Sequence, residues 1–239
     1  MNTATITTPD VVAPPAPGDV ARPGKGLSVR RWVLVASPVA AGLLAVLGAA
    51  TDPAVGESGL PLFEKYAANP EPLQWKSVGF HYSYALWLLP AIMLAGYVRG
   101  RGVWLANIGA VLGWLGLTTL PGFLPVDFFD SAVGQVAGPE TAVAVNELIE
   151  DTMWGLPAIA LPGMIGFVLA LPVAAVAAWR GGVLRWWAPV AVVAGFLAFM
   201  LSNITWWGCL VLTAFLAVFA YDLARGTGRV AARVTTTSA

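Results

Sequence analysis

The sequence predicts an all-α integral membrane protein, a six-helix transmembrane bundle with both termini cytoplasmic. Three observations predict it. Of 239 residues, 58% are hydrophobic and only 11% are charged, with a mean hydropathy of +0.74. A water-soluble domain carries about 25% charged residues. The apolar residues gather in runs long enough to cross a bilayer, and basic residues gather at alternate ends of those runs. This composition excludes an ordinary soluble enzyme, a nucleic-acid-binding module and a disordered chain.

Residues 1–29 are rich in Thr, Pro and Ala, and Pro14, Pro15, Pro17 and Pro23 would break a helix there. The stretch reads as a disordered cytoplasmic tail. The transmembrane domain follows over 30–224, and 225–239 form a second cytoplasmic tail. A span needs about 20 apolar residues, because each rises about 1.5 Å across about 30 Å of hydrocarbon. Runs at about 32–50, 80–98, 103–120 and 154–179 qualify as the first four spans. The run 186–221 would reach about 54 Å as one helix, too long for a single crossing. Ser202-Asn203-Ile204-Thr205 is its polar break. A hairpin there gives two short spans, about 186–201 and 205–221. Outer loops cover 51–79, with a short helix around 62–68, and 121–153, ending in a helix from about Glu140.

Charge tests the count. Arg22, Lys25, Arg30 and Arg31 precede the first span, and Arg99 and Arg101 follow the second. Arg180 and Arg185 follow the fourth, and Arg225, Arg229 and Arg233 follow the sixth. Only Lys65 and Lys76 fall on the other side, so parity favours six spans and a multi-pass protein of the cell membrane. Tryptophan agrees: Trp32, Trp104, Trp179, Trp186 and Trp187 sit at inner ends, and Trp75, Trp154, Trp206 and Trp207 at outer ends. Trp87 and Trp114 lie deeper, as packing residues. The first run also has small residues at Gly48-Ala49-Ala50 that resemble a signal-peptide cleavage site. The Arg30-Arg31 pair fits an export consensus poorly, so the run is read as a retained span.

Acidic residues are as polarised as basic ones. Ten of the thirteen fall outside, including Asp52, Glu57, Asp127, Asp130, Glu140, Glu147, Glu150 and Asp151. Glu147, Glu150 and Asp151 have helical i, i+3, i+4 spacing and share a face. Asp127 and Asp130 share one too if their stretch is helical. His81, the single histidine, sits at the outer end of the second span beside Tyr82. The candidate outer-face polar site is therefore His81, Asp127, Asp130, Glu147, Glu150 and Asp151. His81 would supply a nitrogen ligand or general base, and the carboxylates hard oxygen ligands or a proton acceptor. The plainer alternative is a solvated acidic surface, with His81 bonded to a backbone carbonyl or a Tyr hydroxyl.

The interior is nearly free of charge. Asn107, Thr118, Thr119 and Thr213 are its polar residues, and Asp222 lies at the cytoplasmic end. A proton-coupled pump usually carries an ionisable residue inside a span. Asn107 is expected to hydrogen-bond between helices. Gly109 and Gly113 form a GxxxG pattern extended by Gly116, which suits close packing within the chain or a homodimer seam. Pro157, Pro162 and Pro172 make the fourth span the least regular. Cys209 is the single cysteine, so no intramolecular disulfide or CxxC pair exists. No P-loop, dinucleotide fingerprint or nucleophile elbow appears, and no cofactor is implied.

The layout resembles that of bacterial inner-membrane proteins with several helices, a likeness of architecture that carries no motif. The bilayer is the one partner the sequence implies, and nucleic acid is excluded. Three functional readings follow. The first is a structural, accessory or partner-binding role through the acidic outer face. The second is a small transporter or channel with a cation-attracting outer vestibule, which needs a polar cavity reaching Asn107. The third is a membrane enzyme with a metal or acid-base site around His81, which needs His81 to meet at least two outer carboxylates.

Overall fold

The structure, a computed structural model, describes residues 25–237, with side chains described for residues 28–230. The regular elements of the described residues are all helices, without strands. Most of the expected N-terminal tail, residues 1–24, lies outside them. Five helices are long and apolar enough to cross a membrane: α1 (Lys25–Thr51), α3 (Pro70–Leu94), α4 (Val103–Phe123), α7 (Gly155–Arg180) and α9 (Trp206–Thr237). The remaining long apolar element, α8 (Trp187–Leu201), has 15 residues. At about 1.5 Å per residue it is about 22 Å long, shorter than the hydrocarbon layer. Three further helices, α2 (Leu60–Ala68), α5 (Val126–Ala137) and α6 (Pro139–Thr152), pack on one another over one end of the bundle.

Small residues let the long helices touch. On α1, Leu34, Ser37, Ala41, Ala45 and Ala49 recur every three or four residues and are buried against α3 and α9. Where α1 crosses α3, a Cβ on Gly79 would lie 2.7 Å from the Gly48 nitrogen. Only glycine fits such a crossing. The same device joins α4 to α7. A Cβ on Gly109 would press on Ala174 at 3.0 Å, and one on Gly113 would press on Ile92 and Ala91 of α3. The GxxxG face of α4 is therefore packed inside the chain, and a seam between copies would need another face. That other face is broad: Trp114 is 59% exposed and Asn107 is exposed with no side-chain hydrogen bond among the described residues. Both expectations for them, core packing and an interhelical bond, are thus corrected. A heptad-like glycine stripe turns α4 inward on its Gly109–Gly113–Gly116 side, which rotates residues 107 and 114 outward.

The break at 202–205 is a tight turn in which Asn203 and Ile204 have φ of 53° and 58°. Asparagine tolerates this left-handed region, whereas a β-branched isoleucine there is strained. At the opposite end of the bundle, Arg31 ties α1 to α9 by donating to the Ala224 carbonyl at 2.7 Å and the Thr227 hydroxyl at 3.2 Å. Asp222, fully buried, accepts the Arg185 backbone N–H at 2.7 Å and so fastens the segment before α8 to α9. The starts of α1 and α8 and the far part of α9 share this end. Helix α9 runs on to Thr237, where the sequence suggested a tail. Gly226 packs on Val183, and the Thr227 hydroxyl bonds back to the Leu223 carbonyl, so tertiary contact overrides the poor propensity of Gly226-Thr227-Gly228.

Candidate functional site

The second apolar run begins its helix ten residues earlier than its hydropathy suggests. Pro70 and Pro72 suit a first helical turn, and Glu71 sits favourably against the helix dipole. Because α3 starts there, Lys76, Ser77 and His81 stand on a rigid helix rather than in a loop. Lys76 is only 8% exposed. Its ammonium donates to Asp127 Oδ2 at 2.7 Å and to the Tyr66 hydroxyl at 2.6 Å. The Ser77 hydroxyl donates to the same Asp127 oxygen at 2.9 Å. Helices α2, α3 and α5 thus meet on one ion pair.

Further bonds close the cap. The Ser131 hydroxyl donates to the Tyr66 carbonyl at 2.8 Å, and the Asn146 side-chain amide donates to Asp130 Oδ1 at 2.9 Å. The first fastens α5 to α2, and the second fastens α6 to α5. Burial and the nearby Asp127 charge push the Tyr66 phenol up to about 12. The phenol therefore stays protonated at neutral pH and can donate a hydrogen bond while it accepts one from Lys76.

Beside this cluster lies a cleft of about 460 Å³. The segment after α1 lines it with Asp52 and Glu57, α2 with Tyr66, α3 with Lys76 and Tyr84, and the strained turn with Asn203 and Ile204. Glu57 pairs with Lys65. Asp127 Oδ1 makes no hydrogen bond among the described residues, nor does the Tyr84 hydroxyl, and neither is an enclosed atom. Beneath Tyr84 the bundle is shut. Trp87, Phe167, Phe196 and Phe199 interlock with ring centroids 5.5–6.2 Å apart, and the Trp87 indole donates to the Phe167 carbonyl at 3.0 Å. The void among them is about 10 Å³, at the limit for one water.

The six sequence candidates scatter. Asp127 belongs to the ion pair. Asp130 is buried and held by Asn146. Glu147, Glu150 and Asp151 are exposed on α6, share the expected face, and form no salt bridge among the described residues. His81 hydrogen-bonds the Pro121 carbonyl through Nδ1 at 2.8 Å. That carbonyl would ordinarily receive the N–H four residues on, but that residue is Pro125, which has none. His81 Nδ1 must therefore be the donor, and the imidazole repairs the end of α4. Among the described residues no three His, Cys, Asp or Glu side chains are grouped as a metal site would need. His81 makes no hydrogen bond or ion pair with any carboxylate among them. Direct contact between His81 and the outer carboxylates is thus not seen among the described residues.

Lys76, Ser77 and Tyr66 are the residues that sequence reasoning passed over. The available signal was Lys76 itself, one of two lysines on the acidic side and the one adjoining an apolar run. A lysine at the edge of a membrane helix needs a counter-charge, and the acids of 121–153 were the nearest supply. The chain matches no known protein family, no curated protein and no solved structure.

Proposed function

We propose that this is a six-traversal protein of the cell membrane, with both termini cytoplasmic, that serves as an accessory or partner-binding component through its acidic outer cap. Helix α8 makes the fifth traversal in this reading, as the short arm of the α8–α9 hairpin. The exposed carboxylate face of α6 carries the reading. Glu147, Glu150 and Asp151 lie together without cationic partners among the described residues, next to the exposed Leu148, Met153 and Trp154. A charged face edged by an aromatic and aliphatic side chains has the composition of an interaction surface. The aromatic plug below Tyr84 favours this role over that of a channel, since the void beneath the cleft is only about 10 Å³. The dispersal of His81 and the carboxylates likewise favours binding over acid-base chemistry.

Photo-crosslinking in intact cells tests the role. A photoreactive residue replacing Glu147 should form an adduct with one defined polypeptide, and the same probe at lipid-facing Val111 should not. Charge reversal by Glu150→Lys with Asp151→Lys should abolish the adduct. An adduct indifferent to that reversal, or none from Glu147, would sink the proposal.

A further inference from the structure

We infer that the cleft between α1, α2, α3 and the α8–α9 turn is a binding site for a small organic cation, an alkylammonium or guanidinium compound with a hydrophobic body. This goes beyond the α6 surface and does not depend on it. The volume of about 460 Å³ is that of a small-molecule pocket. Two of its carboxylates keep acceptor oxygens open. Asp127 spends only Oδ2 on Lys76 and Ser77, which leaves Oδ1 open at the wall. The Tyr84 hydroxyl is uncommitted as well. Asp52 uses Oδ1 to hold the Ala54 N–H at 2.9 Å and forms no salt bridge among the described residues.

The charge balance points the same way. Glu57 is neutralised by Lys65 and Asp127 by Lys76, so Asp52 supplies the uncompensated charge of the wall. Both Asp52 and Asp127 lie close enough to act electrostatically on the Tyr66 hydroxyl, so they address one volume. Lys76 already spends two of its three N–H donors on Asp127 and Tyr66, and the surrounding cap is rich in further carboxylates. An anionic ligand is therefore repelled and a cation is drawn in. Leu62, Phe80 and Ile204 provide the apolar wall for its body.

The site is also built rather than incidental. Its lining includes the interhelical ion pair and the one β-branched residue held at positive φ among the described residues, Ile204. Backbone strain of this kind persists only where surrounding structure enforces it.

Isothermal titration of the full-length protein in nanodiscs tests the inference, with phenethylammonium as the probe. Phenethyl alcohol and 3-phenylpropionate are its neutral and anionic counterparts. The cation should bind saturably at one site per chain, and each counterpart at least about tenfold more weakly. Asp52→Asn, which can keep the Ala54 bond, should weaken the cation about tenfold. Ile204→Trp, which fills the cleft, should abolish binding, with an unchanged melting curve showing that the fold persists. Glu140→Gln, in the first turn of α6 and outside the cleft lining, should leave affinity unaltered. Equal binding of cation and alcohol, absence of saturable binding, or equal weakening by Glu140→Gln would each overturn it. If Ile204→Trp fails to fold, Leu62→Trp replaces it, and unaltered affinity in that folded variant would also overturn it.

Discussion

Replacing Asp127 with alanine would strand a charge. Lys76 would keep the Tyr66 hydroxyl but lose its ionic partner among the described residues while remaining almost buried. Removing one member of a buried pair costs about 3–5 kcal/mol. The two side chains retain 10% and 18% of their exposure at the cleft wall, and water there softens the penalty. The expected loss is therefore near the lower limit, about 3 kcal/mol. Lys76→Met should cost less, about 2 kcal/mol, because Asp127 keeps Ser77 and an open second oxygen. The double variant Lys76→Met with Asp127→Ala removes both charges together, and its loss should fall well short of the sum. Reversible unfolding in mixed micelles, analysed as a double-mutant cycle, should return a coupling of about 1.5 kcal/mol or more. Additive losses, or single losses below about 0.5 kcal/mol, would refute the view that this pair clasps the cap to the bundle.

Other outcomes follow from neighbouring contacts. His81→Ala should destabilise by about 1–3 kcal/mol, because the Pro121 carbonyl loses the donor that Pro125 cannot supply; added zinc should leave the melting temperature of the unaltered protein unchanged. Gly79→Val should abolish the folded monomer on size-exclusion chromatography, since its Cβ would meet the α1 backbone, whereas Gly155→Ala, with nothing within 4 Å, should be tolerated. The Tyr66 phenol, raised from 10 to about 12, makes stability depend on alkaline pH. Below pH 10 both states keep the proton and the contribution is fully present; it is lost as pH rises toward 12, where only the unfolded chain ionises readily. Tyr66→Phe should flatten that decline in pH-dependent melts.

Much of the bundle was legible because length and hydropathy act through simple geometry. The 202–205 break, the helix near Glu140 and the short helix before the second span all correspond to observed elements. The start of α3 is not legible, because hydropathy alone places the boundary where apolar residues begin and puts Lys76 in the loop before it. The helix continues outward because its polar first turns are held by the cap, a tertiary cause invisible to local pattern. The site suffered accordingly. Asp127 was singled out, yet its role depends on Lys76 and Tyr66, which lie 51 and 61 positions away in sequence. The shared face of Glu147, Glu150 and Asp151 was legible, since helical spacing alone sets it. The direction in which α4 turns Asn107 and Trp114 was not, because glycine packing against α3 and α7 decides it.

Sidedness is tested most directly by thiol labelling in intact cells. With Cys209 replaced by Ala, cysteine would be introduced singly at Ser28, Ser58 and Ser238, none of which alters a charge. The account predicts that a membrane-impermeant maleimide labels Ser58→Cys at once and reaches Ser28→Cys and Ser238→Cys only after lysis. Labelling of Ser28→Cys from outside would invert the protein and place the acidic cap in the cytoplasm. Labelling of Ser58→Cys and Ser238→Cys together from outside would contradict the six traversals.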